Sequence, residues 1–81
     1  MQVKIKLFYH LKEKAGTGAI ALEVPDRTSI GDLREILEQQ FPQLRTQLDN
    51  VMVLMNKQIV LEEDLIKENT EVTFLTPVGG G

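Results

Sequence analysis

The stretch best suited to chemistry is FLTPVGGG, from Phe74 to Gly81. Its three closing glycines cannot fill a core, and glycine loses the most backbone freedom on ordering. They suit a thin peptide that ends in a free carboxylate. Without Cβ atoms, such a peptide threads a channel too narrow for any other residue. We therefore expect a folded handle over residues 1–76, a flexible tail over 77–81, and the main-chain carboxylate of Gly81 as the reactive group. On composition alone, a frayed end with no role stays open.

The side chains offer little competition. His10 is the one histidine and there is no cysteine, which excludes a thiolate metal site, a cysteine nucleophile and a disulfide scaffold. Glu62, Glu63 and Asp64 form an acidic cluster that reads as solvated surface rather than as a metal site. Gly16 and Gly18 make no nucleotide-binding fingerprint, because no glycine-rich strand-to-helix junction follows them. Ser29 reads as a helix cap, not a nucleophile.

Composition narrows the class further. The 81 residues make one domain, with 42% apolar and 26% charged residues, ordinary for a globular protein. A net charge of −3 gives no electrostatic footprint for nucleic acid. No apolar run approaches a membrane span. The opening MQVKIKLFYH alternates rather than forming a signal peptide's apolar block. We expect a cytoplasmic protein with no membrane or nucleic-acid partner.

The elements that must position the tail follow from periodicity. Val3, Ile5, Leu7 and Tyr9 alternate with polar residues, which predicts a strand with one buried face. Phe8 falls on the opposite face, with Lys4 and Lys6. A helical turn over residues 11–15 ends at Gly16. Ile20, Leu22 and Val24 mark a second strand, antiparallel to the first. Ser29 caps a helix in which Ile30, Leu33, Ile36, Leu37 and Phe41 recur at helical spacing, before Pro42 stops it. Leu44 and Leu48 suggest a further short turn. Residues 51–55 and 58–60 are strands joined at Asn56-Lys57, and residues 61–65 read as irregular or as one tight helical turn. Asn69 is the left-handed residue of a polar turn before the final strand, Glu71 to Leu75. This order predicts an α+β fold, a mixed five-stranded sheet with its last strand short, packed on one main helix. The crossover through the helix brings the third strand in parallel to the second or to a neighbour, and the first and last strands lie side by side at the centre.

These residues carry a resemblance. VLMNKQIV followed by LEEDLIKENTEV, in this strand order, resembles the ubiquitin-like β-grasp fold. IKLFYHLKEKAG, together with the closing Phe74-Leu75-Thr76-Pro77-Val78-Gly79-Gly80-Gly81, resembles the small, sulfur-carrying subunit of molybdopterin synthase. The chain departs from that pattern at Thr76, where a second proline is common, at Gly79, and at Glu68-Asn69. The thiamine sulfur carrier shares the fold and the Gly-Gly end but lacks the Pro-Val approach.

The resemblance implies a carrier with no bound cofactor. An adenylyltransferase of the ubiquitin-activating type would use ATP to activate the Gly81 carboxylate. A sulfur donor such as a cysteine desulfurase or rhodanese would convert it to a thiocarboxylate. The molybdopterin synthase large subunit, which would hold the catalytic side chains, would take the sulfur for the dithiolene of molybdopterin. Gly81 and Gly80 would be the reacting end, and Phe8, Leu75, Thr76, Pro77, Val78 and Gly79 the partner-binding residues. Carriers for thiamine or tRNA thiolation, a ubiquitin-like modifier, and a plain interaction domain remain alternatives. If Phe8 and Leu75 both point away from the helix, they form an apolar patch at the root of the tail. A loop of the chain's own covering Phe8 is the alternative.

Overall fold

The structure, a computed structural model, describes residues 1–76. The expected tail, Pro77, Val78, Gly79, Gly80 and Gly81, lies outside the described residues. Strand β1 (Gln2–Leu7) buries Val3, Ile5 and Leu7 and exposes the residues between them. The alternation predicts a strand that runs on through Tyr9 with that side chain buried. It stops at Leu7 instead, and Tyr9 is 56% exposed. The cause is local: the Leu11 N–H donates to the Phe8 carbonyl at 3.2 Å, which closes a turn and ends the alternation.

Helix α1 (His10–Ala15) follows and buries Leu11. Gly16 ends it at φ 80, its N–H donating to the Lys12 carbonyl at 3.0 Å. That left-handed conformation is one an L side chain resists. Strand β2 (Ala19–Glu23) then pairs antiparallel with β1, with Val3 opposite Leu22 and Ile5 opposite Ile20.

Helix α2 (Ile30–Gln40) begins where the Ser29 hydroxyl oxygen accepts the Asp32 N–H at 3.1 Å. Such a cap contributes about 1 kcal/mol. Ile30, Leu33 and Leu37 form its buried stripe. A 3₁₀ turn at Pro42–Leu44 and the one-turn helix α3 (Arg45–Leu48) bury Leu44 and Leu48. Strands β3 (Met52–Met55) and β4 (Gln58–Ile59) meet at a tight turn in which both Asn56 and Lys57 have positive φ. This is the twist that suits a two-residue hairpin. Residues 61–65 form an irregular turn, and Asn69, at φ 62, turns the chain into β5 (Glu71–Leu75).

The sheet runs β2-β1-β5-β3-β4. β1 and β5 are parallel and every other pair is antiparallel. β3 therefore runs in the direction of β2, separated from it by β1 and β5, after the crossover through α2, and is antiparallel to both of its own neighbours rather than parallel to one of them. The shortest strand is β4, at the edge of the sheet, whereas β5, the last strand of the chain and expected to be short, has five residues. Phe74, Val72, Ile5, Leu7, Leu33 and Leu37 are at most 1% exposed and join α2 to one face of the sheet in a single core.

Candidate functional site

β5 carries the chain toward the tail, and the fold holds it tightly. It is bonded on one side to β1 and on the other to β3. Val72 and Phe74 are fully buried against the helix layer. The alternation that buries them turns Glu71, Thr73 and Leu75 to the opposite face. Leu75 is half-buried, and so is Thr76, the last described residue. Gly79, Gly80, Gly81, Pro77 and Val78 lie outside the described residues, so no geometry is assigned to them.

The face around Leu75 is more apolar than the sequence suggested. Met52 stands opposite Leu75 and Leu54 opposite Thr73. Ile59, 66% exposed, stands opposite Leu54. Leu54, Asn56, Lys57, Glu71, Thr73 and Leu75 line a shallow depression of about 330 Å³ on this face. Lys6 reaches Glu71 at 3.7 Å between half-exposed side chains. An exposed pair of this kind contributes about 0–1 kcal/mol. It leaves the face solvated along β1 and apolar along β3.

Phe8 stands at the end of β1, 41% exposed. Its N–H donates to the Phe74 carbonyl at 3.2 Å, which continues the parallel ladder and sets Phe8 at the end of the sheet from which β5 leaves. Its ring meets that of Tyr9, with centroids 6.1 Å apart and planes inclined by 48°. Among the described residues, then, β5 ends beside two exposed aromatic rings and the apolar face along β3.

The other candidates have ordinary structural roles. His10 lies 3.9 Å from Glu13 in an exposed i, i+3 pair. Glu62 pairs with Arg34. An Asp64 carboxylate oxygen accepts the Leu61 N–H at 2.7 Å and closes the irregular turn. Among the described residues no cluster of His, Cys, Asp or Glu is disposed to hold a metal. None of their helices is long and apolar enough to cross a membrane.

Sequence reasoning misses four exposed or half-buried residues here: Met52, Leu54 and Ile59 on this face, and Tyr9 beside Phe8. For β3 there was a signal. VMVLM is apolar at every position, so both of its faces are apolar, although α2 covers only one of them. For Tyr9 there was none, because a turn that breaks a strand without Gly or Pro leaves the alternation intact on paper.

A model of the ThiS family matches residues 5–81. A Dictyostelium discoideum protein named molybdopterin synthase sulfur carrier subunit is 30% identical over 99% of this chain and 96% of its own length. A Mycobacterium tuberculosis protein of the same name is 32% identical over 74% of this chain and 72% of its own. The crystal structure of SAMP1, small archaeal modifier protein 1, from Haloferax volcanii matches with a TM-score of 0.89 at 25% identity, over 100% of both chains. The mixed five-stranded sheet with its helix is thus the ubiquitin-like β-grasp.

Proposed function

The chain belongs to the ThiS family, and from that premise we propose that it is a cytoplasmic sulfur carrier, the small subunit of a molybdopterin synthase. The observation that carries this reading is the similarity, over 99% of the chain, to a protein bearing that name. The fold supports it. A tail used as a reagent needs a rigid root, and β5 is held on both sides by neighbouring strands. It also needs a handle that partners grip, and the apolar face along β3 with the two rings at the end of β1 is of that kind.

The chemistry explains why the reactive group would be a chain end. A carboxylate resists nucleophilic attack, because attack adds charge to an anion and must expel oxide. Attack of the Gly81 carboxylate on the α-phosphate of ATP, with loss of pyrophosphate, gives an acyl-adenylate. AMP is then the leaving group. A sulfur nucleophile displaces it, and the product is a thiocarboxylate whose sulfur stays anionic and polarisable. The activating enzyme consumes the ATP and a separate donor supplies the sulfur. A large subunit takes the sulfur into a dithiolene. The carrier contributes position, delivering the tail by binding through its body.

The test is the intact mass of the chain after incubation with a ubiquitin-activating-type adenylating enzyme, ATP and sulfide. The expected result is a gain matching one oxygen-for-sulfur exchange, placed at Gly81 by fragmentation. No gain with any such enzyme refutes the reading. Thiamine or tRNA thiolation would use the same loaded tail, and the large partner that co-purifies with the chain separates these pathways. The similarity to SAMP1 favours a second reading, a modifier joined to lysines through Gly81. A ladder of isopeptide-linked conjugates in cell extracts would support it.

A further inference from the structure

Of the two edges of the sheet, β4 offers two residues and β2 five. The phase of the β1–β2 ladder decides which main-chain groups of β2 point outward. Met1 and Val24 exchange both bonds, at 2.7 and 2.8 Å, and the Leu7 N–H donates to the Gly18 carbonyl at 3.0 Å. In an antiparallel ladder such bonded pairs recur at every second residue. Leu22 and Ile20 therefore turn their N–H and C=O to β1, opposite Val3 and Ile5. Ala19, Ala21 and Glu23 turn theirs to the free edge, and the same phase next reaches Pro25.

Two of these four are already closed. The Thr17 hydroxyl oxygen accepts the Ala19 N–H at 3.3 Å, and the hydroxyl donates to the Ala19 carbonyl at 3.1 Å. Pro25 has no N–H to give, and its carbonyl accepts the Thr28 hydroxyl at 2.5 Å. Ala21 and Glu23 stay open, since among the described residues no hydrogen bond reaches their outward groups. The strand also lacks the lysine, proline or bulge that usually guards an edge at its middle. Ala19 and Ala21 are small and exposed, and the one charge, Glu23, stands at the end.

Positions 19, 21, 23 and 25 thus read closed, open, open, closed, a pattern that is its own reverse. A second copy laid antiparallel with a twofold axis at Leu22 sets Ala21 against Glu23 of the second copy, and Ala19 against its Pro25. Every open group meets an open group, and four main-chain bonds form. An axis at Ala21 would form two, because Glu23 would then face the closed Ala19. The side chains agree with the first register. On the helix side Leu22 meets Leu22 of the second copy, and the half-buried Ile20 meets its Val24. On the outer face Lys4 stands beside Ala21 within the chain, so Lys4, Ala21 and Glu23 of the second copy lie in one row. Two strand spacings, about 10 Å, separate the outer two, and the alanine between them leaves room for the charges to meet.

We infer that the free edge of β2 pairs with β2 of a second copy of this chain, joining the two five-stranded sheets into one. The self-matching pattern of open and closed groups, with opposite charges in each row, names a second copy as the occupant. One strand on one strand is a small contact, so the dimer is weak and reversible. The inference stands apart from the sulfur-carrier reading and is compatible with it. β5 lies two strands in from this edge, so the two β5 strands are five spacings, about 24 Å, apart and run in opposite directions. The end of β5 and the apolar face along β3 stay open in both copies.

The test is the oligomeric state of the full chain. Sedimentation velocity from micromolar to millimolar concentration is expected to show a reversible monomer–dimer equilibrium. Hydrogen exchange at the Ala21 and Glu23 amides is expected to slow in the concentrated sample. A chain that stays monomeric at millimolar concentration overturns the inference. So does a dimer in which those two amides exchange as fast as in dilute solution, which puts the contact elsewhere. Ala21→Pro removes two of the four bonds and none within the monomer, so dimerisation should weaken by about tenfold or more. If that variant does not fold, K4E carries the test. Like charges then meet in each row and dimerisation weakens by about threefold or more. The exchanged pair K4E/E23K restores it, which a role of either residue in its own fold would not produce. Dimerisation of the folded single variants within about twofold of wild type, or no recovery in the exchanged pair, overturns the inference.

Discussion

Replacing Phe8 with alanine separates the fold from the proposed docking surface, because the residue is partly buried and partly exposed. Full burial of a side chain of this kind contributes about 1.5–3 kcal/mol. With 41% of the residue exposed, about 1–2 kcal/mol is already realised in the fold and about 1 kcal/mol is left to be gained on docking. The domain should lose about 4–8 °C of Tm for each kcal/mol removed. With a total stability of about 4–12 kcal/mol for a chain of this length, it stays folded. Its affinity for the large subunit should fall about fivefold, more if the ring sits at the centre of the contact. Titration calorimetry on the folded variant at 20 °C measures the second effect free of the first. An unchanged Kd alongside a lowered Tm would refute the placement of Phe8 in the interface and leave it a residue of the fold alone.

Three other substitutions probe the remaining links. Ser29→Ala removes the oxygen that accepts the Asp32 N–H and should cost about 1 kcal/mol, seen as a lower urea midpoint with unchanged sulfur loading. Phe74→Ala empties a fully buried site on the central strand. A loss of about 3–5 kcal/mol is a large share of a total of about 4–12 kcal/mol, so the urea midpoint followed by circular dichroism should fall far more than for Ser29→Ala. Gly81→Ala should leave Tm unchanged and slow loading in the mass assay, since the added methyl crowds a channel shaped for a chain without side chains; loading at the wild-type rate would argue against a close-fitting channel.

Much of the fold was legible because its signals were redundant. The alternation in VKIKL, the cap at Ser29 and the stripe of Ile30, Leu33 and Leu37 each predicted an element that the structure contains. Turn chemistry served equally well at Gly16, Asn56 and Asn69, all with positive φ. It failed at Tyr9 and was silent at Lys57, where residues with no preference for the left-handed region adopt it. A sequence reading assigns residues to the conformations they prefer, so a residue held in one it resists is invisible beforehand. The apolar face beside Leu75 was half legible for a different reason. Phe8 and Leu75 broke an otherwise clean alternation, whereas Met52 and Leu54 lay in a run with no alternation to break. Only the register with β5 decides that Met52 and Leu54, rather than Val53, face outward.

The position of β5 also constrains how the tail can be used. In a parallel β1–β5 pair both strands end at the same side of the sheet, so Phe8 and Thr76 share it. β3 begins there too, since Met52 pairs with Leu75. A partner that holds the body through these three chain segments therefore holds the point from which the tail departs. This works only if β5 does not open locally, because a strand that frays would lengthen the tail and loosen its aim. Its amides from Val72 to Phe74 should accordingly exchange with solvent only through global unfolding, with protection equal to the full unfolding free energy. Those of the two-residue edge strand β4 should exchange through local opening. Hydrogen exchange followed by mass spectrometry or NMR reads both. Protection of β5 no greater than that of β4 would mean that the root of the tail is loose, and the delivery of its end would then have to be fixed by the partner rather than by this fold.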